Sequence, residues 1–170
     1  MAASVEVIDR GLRIAFSFDD MLRYHGGGSP GGVAHAFKVL ERALALLDPD
    51  GPCERREIVV DTAFGGPGAR DAFELVTRAV TGERYRVDAS LVRPERGRTL
   101  ERFVFRLSYR GRSVTLELRK GFVTEEFIDL ARTDERTPEQ EGRLDTLKQE
   151  MADRVMARPA DEVYAVSAGP

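Results

Sequence analysis

The sequence predicts an α+β domain in which an antiparallel sheet meander packs against helices. Three observations carry that prediction. Val33, Phe37, Leu40, Leu44 and Leu47 recur at helical spacing through an alanine-rich segment. Phe103, Phe105 and Leu107 alternate, as do Val114, Leu116 and Leu118, with Arg110-Gly111 between the two runs as a tight hairpin. Strand and helix signals are also mixed along the chain, with neighbouring strands joined by a short turn, which is the α+β pattern.

Taken in order, Val5 to Ser17 shows short apolar alternation and reads as a strand or extended arm, so residues 1–15 are assigned to an N-terminal arm or edge strand. Ser17 suits an N-cap, with Asp19 and Asp20 in the positive first turn of a brief helix. His25-Gly26-Gly27-Gly28-Ser29-Pro30-Gly31-Gly32 must then be a loop, since glycine supplies backbone angles that other residues resist. Pro30 opens a helix reaching Leu47, which Asp48-Pro49-Asp50-Gly51-Pro52 stops. Ile58-Val59-Val60 marks a strand, and Gly65-Gly66-Pro67-Gly68 leads into a helix over Ala69 to Val80. Three β-like runs follow: Tyr85 to Val92, Arg102 to Tyr109, and Ser113 to Leu118. Thr124 to Ala131 and Pro138 to Ala157 read as helices, the second opened by Thr137 and Gln140 in a capping box, and Val163 to Val166 as a last edge strand.

The totals describe one globular domain spanning 1–170. The chain is 42% apolar and 32% charged with a net charge of -3, a composition that can bury a core without a metal or disulfide. Cys53 is the single cysteine, read as an incidental surface or half-buried thiol. Acids and bases are interleaved, so no basic stripe suggests nucleic acid; Arg93, Arg96, Arg98 and Arg102 read as a solvated loop. The first residues lack a basic segment followed by an apolar run, and no apolar stretch is long enough to span a bilayer, so a cytoplasmic protein without membrane contact is expected.

The glycine-rich segment is where chemistry is sought. A loop of this kind running into a helix start exposes backbone N–H groups at the positive end of the helix dipole and can take carboxylate or phosphate. It can equally be a tight turn that lets two helices approach. Its spacing is not that of a P-loop. A histidine before three glycines also resembles the oxyanion loop of lipase-like hydrolases, but the nearest approach to their Gly-x-Ser-x-Gly elbow, Ala165 to Gly169, lacks the first glycine and leaves no later Asp or His. His35, inside the alanine-rich helix, reads as a packed or surface residue.

The run Phe18-Asp19-Asp20-Met21-Leu22-Arg23-Tyr24-His25-Gly26-Gly27-Gly28-Ser29-Pro30-Gly31 resembles the E-subunit family of formylmethanofuran dehydrogenase. In that family a helix ends in His-Gly-His-x-Cys-Pro-Gly and an alanine-rich helix follows. Its Cys-x-x-Asp-Ala motif finds a counterpart in Gly68-Ala69-Arg70-Asp71-Ala72, its Thr- and Gly-containing turn in Val80-Thr81-Gly82, and its hairpin in Arg102 to Leu118. The similarity covers about Phe16 to Val166. Gly27 stands where the family has its second histidine, and Ser29 and Gly68 where it has cysteines; His25, Pro30, Gly31, Asp71 and Ala72 survive. A serine hydroxyl and a glycine do not replace thiolates as zinc or iron ligands. Any metal would fall to His25 with Asp20 or Asp71.

The resemblance implies a homodimer and a setting in one-carbon metabolism. Three functions are therefore carried. The first is a binding or accessory module whose cleft lies between the His25–Gly32 loop and the Ala69–Val80 helix. Its ligand would be small, anionic or pterin-like, held by His25, Gly26, Gly27, Gly28, Ser29, Gly31 and Asp71. The second is an enzyme using His25 as general acid or base, oriented by Asp71 or Asp20. The third is a structural subunit for a protein partner, its metal site decayed. The sequence names no cofactor.

Overall fold

Arg10 and Gly11 both take positive φ (53° and 84°), the requirement of a two-residue hairpin turn whose twist matches its strands. The stretch expected as one arm or strand therefore doubles back as β1 (Ser4–Asp9) and β2 (Leu12–Ser17), with Val5 opposite Phe16 and Val7 opposite Ile14. The computed structural model describes residues 3–167. Residues 1 and 2 of the expected arm, and 168–170 of the expected domain, lie outside the described residues.

A short β3 (Cys53–Glu54) pairs in parallel with β1 and completes a three-stranded sheet of order β2-β1-β3. The second sheet is five-stranded: β4 (Val59–Thr62), β5 (Tyr85–Val87), β6 (Val104–Tyr109), β7 (Arg112–Leu118) and β8 (Tyr164–Val166), in the order β5-β4-β6-β7-β8. β6 and β7 form the expected hairpin through Arg110 and Gly111, again with positive φ at both residues (48° and 81°). β8 is the closing edge strand, antiparallel to β7.

The expected Tyr85–Val92 strand is cut short. Asp88 turns the chain by accepting from the Ser90 N–H at 2.9 Å, and residues Ala89–Leu91 form a 3₁₀ turn. β5 also lies parallel to β4, because a helix connects them and a helical crossover returns the chain in the same direction.

The helices are α1 (Phe18–His25), α2 (Pro30–Leu47), α3 (Pro67–Thr77), α4 (Glu125–Ala131), α5 (Pro138–Met156) and a single turn, α6 (Ala160–Val163). Both expected capping signals are realised. Ser17 and Asp20 close a capping box on α1, and Thr137 and Gln140 close one on α5.

α2 is the axis of the fold. Every residue from Gly31 to Leu40 is buried, and α2 packs most extensively on α3 and α5 while also touching both sheets. A helix covered on all sides needs small residues where neighbours come close, which accounts for its run of glycine and alanine. Phe37, Phe73, Phe105 and Tyr164 are fully buried around it, each large ring contributing about 1.5–3 kcal/mol or more on burial.

Cys53 corrects an expectation: it is 1% exposed, and burial pushes its thiol up to about 11. Its position in β3, beneath the end of α2, makes it a small core residue. No helix among the described residues is long and apolar enough to cross a membrane.

Candidate functional site

α1 ends at His25 because Gly26 adopts φ 92° and returns its N–H to the Leu22 carbonyl at 2.7 Å. That turn swings the imidazole onto α3. His25 Nδ1 lies 2.8 Å from Asp71 Oδ2, with the two side chains 8% and 30% exposed. An ionised carboxylate can only accept, so Nδ1 is the nitrogen that donates to Asp71. Nε2 is buried and has no hydrogen-bond partner among the described residues. A Cβ on Gly28 would stand 3.8 Å from it, so this nitrogen faces the glycine loop. Burying an unpaired polar atom of this kind costs about 1–3 kcal/mol.

Asp20, the alternative partner, is committed elsewhere. It accepts from the Ser17 backbone N–H at 2.8 Å and pairs with Arg23 at 3.2 Å. The Ser17 backbone and hydroxyl, followed by Arg23, hold its carboxyl below the usual range. Among the described residues, no group of three His, Cys, Asp or Glu side chains is placed to hold a metal ion. With Ser29 and Gly68 in place of cysteines, the donor set does not fit the thiolate centre that the resemblance implies.

Where the glycine loop meets the start of α3, the two segments are in contact. A Cβ on Gly68 would run into the Ser29 carbonyl oxygen, and one on Gly32 would meet the Ala69 nitrogen at 3.1 Å. Gly31 is equally tight against α5, where a Cβ would lie 2.6 Å from Met151 Cε. These glycines let the starts of α2 and α3 meet, so the helix-packing alternative holds for them.

Open space lies beside that junction. A cavity of about 380 Å³ has Ser29, Gly32 and Gly68 at one end, within the size range of small-molecule sites. Its apolar wall comes from Phe64, Phe103, Phe127, Ile128 and Met151, and four cations line it: Arg98, Arg102, Arg132 and Lys148. Phe64 and Phe103 stack with centroids 4.7 Å apart at 26°. Of the residues singled out from the sequence, Ser29 reaches this cavity; His25, Gly26, Gly27, Gly28, Gly31 and Asp71 do not line it.

The arginine run splits in two within an exposed loop, where Arg98 and Arg102 remain exposed as expected. Arg93 and Arg96 brace the backbone, donating to Ser90 O at 3.2 Å and Leu118 O at 2.8 Å. Arg98 and Arg102 line the cavity. The spacing of this cluster was visible, but its convergence with Phe64 and Lys148 depends on the packing of distant segments.

His35 is the packed residue among the two alternatives. Its Nδ1 lies 2.7 Å from Tyr164 Oη, its Nε2 3.4 Å from Met151 Sδ, and its ring packs on Phe103 at 4.7 Å. Complete burial drives its pKa down to about 3, so the ring is neutral at physiological pH. No protein-family model matches this chain, and no curated protein does.

Proposed function

We propose that the protein is a small-molecule binding module whose site is the cavity beside the α2–α3 junction. The observation that carries this is the coincidence, in about 380 Å³, of a stacked aromatic wall with convergent polar groups, the usual composition of a ligand pocket. The resemblance to the formylmethanofuran dehydrogenase E subunit supports the same place. Positions 29 and 68, where that family carries cysteines, lie against one another at the cavity's end. On that analogy the ligand belongs to one-carbon metabolism.

Native mass spectrometry of the untagged protein from its own host tests the proposal, with Ala131→Trp as a blocking variant, since Ala131 lies on the cavity wall at the end of α4. The expected result is a stoichiometric organic adduct that the variant lacks. An adduct retained by the variant, or a clean apo species in both, overturns it. The same spectra read the homodimer that the resemblance implies.

A second reading, an enzyme using His25 as general acid or base, is favoured by the 2.8 Å contact with Asp71. A carboxylate that fixes the tautomer and leaves Nε2 free is the arrangement proton transfer requires. Nε2 is buried, so in this reading the glycine loop must shift for a substrate to reach it.

A further inference from the structure

We infer that the ligand is an apolar-bodied organic anion whose charged end is held by Arg102 and Lys148; this rests on the cavity being the binding site. The four cations of the cavity differ in what already holds them. Arg98 is taken by Asp129 at 2.6 Å and Glu125 at 3.3 Å, and Arg132 by Glu101 at 3.2 Å. Among the described residues neither Arg102 nor Lys148 meets a carboxylate within 4.0 Å; Lys148 Nζ donates to the Gly28 carbonyl at 3.1 Å, and Arg102 makes no side-chain hydrogen bond there.

A cation already paired must lose its partner before it can serve a ligand, whereas an uncommitted one adds its attraction directly. Arg102 and Lys148 are therefore the two cations of the cavity left to answer a ligand's charge. The helix starts reinforce their sign. Ser29 and Gly66, the N-caps of α2 and α3, make no side-chain cap, and both line the cavity, so two positive helix ends border it without an acidic residue in their first turns.

The rest of the wall sets the body of the ligand. Phe64 and Phe103 present a stacked pair, with Phe127 and Met151 alongside, so a planar apolar portion is favoured over a sugar or a bare inorganic ion. Carboxylate, sulfonate and phosphate share the required chemistry, because each offers oxygen acceptors to a guanidinium fork and an ammonium.

Fluorescence titration with two probes of similar body tests this: the anionic anilinonaphthalene sulfonate and the neutral phenylnaphthylamine. Wild type, the double variant R102Q/K148Q and Ala131→Trp are compared after circular dichroism has verified their folding. The expected result is that the sulfonate binds wild type more tightly than the neutral probe. The double variant should lose about tenfold to a hundredfold of sulfonate affinity and none for the neutral probe, while Ala131→Trp blocks both. If the two probes bind wild type alike and the double variant changes neither, the charge assignment falls and the cavity remains a binding site. If neither probe binds wild type, or Ala131→Trp leaves both unaffected, the cavity itself falls as the site.

Discussion

His35 and His25 begin from similar sequence surroundings, each next to small residues near the start of α2, and both rings end up buried. Their surroundings differ in how completely they answer the ring. His35 has a partner at each nitrogen, Tyr164 on one side and Met151 on the other, and an aromatic face against Phe103. His25 has Asp71 at one nitrogen and, among the described residues, no hydrogen-bond partner at the other. Burial alone therefore does not separate a structural histidine from a candidate functional one; the state of the second nitrogen does. The closed set locks a core, while the half-open set leaves one ring nitrogen unpartnered at a loop of glycines.

That contrast is open to direct attack. The largest effect is expected from His35→Ala, which removes a fully buried ring and orphans Tyr164 Oη. It should cost about 3–5 kcal/mol, read by urea unfolding. Next in size is acid. His35 in the folded protein titrates near 3 rather than 6.5, so the unfolded chain binds the extra proton first. The stability it lends is complete above about pH 6.5 and is lost as pH falls toward 3. Between pH 6.5 and pH 5 wild type should lose about 1.5 kcal/mol on this account, and His35→Gln should flatten that limb. A variant with the wild-type slope would show that some other group titrates there.

The smallest effect is expected from His25→Ala, at about 1 kcal/mol. It loses one hydrogen bond, and Asp71 is exposed enough to be hydrated afterwards. Equal costs for the two alanine variants, measured under the same conditions, would abolish the distinction between the closed and half-open sets.

Local signals carried much of the fold. The hairpin at Arg110-Gly111, the capping residues Ser17 and Thr137, and the Pro30–Leu47 helix were legible because each depends on neighbours within a few residues. The Arg10-Gly11 turn used the same residue pair and was read through as a strand, since the flanking apolar alternation continues across it. The strand over Tyr85–Val92 was overextended because Asp88 turns the chain with its own side chain. Asp71 was legible as a partner for His25, whereas Asp20 was not excluded until its capping role was seen.

The sequence by itself determined an α+β chain with a central small-residue helix and a glycine loop bearing one histidine, because periodicity, capping and glycine content act over short range. Tertiary structure alone decided three things: that the starts of α2 and α3 touch at Gly32 and Gly68, that His25 Nε2 is left without a partner among the described residues, and that Arg102 and Lys148 share a cavity with Phe64 and Phe103. Each of these is a matter of which distant surfaces touch. Such contacts are set by the packing of α2 between its neighbours, and no window of the sequence contains them.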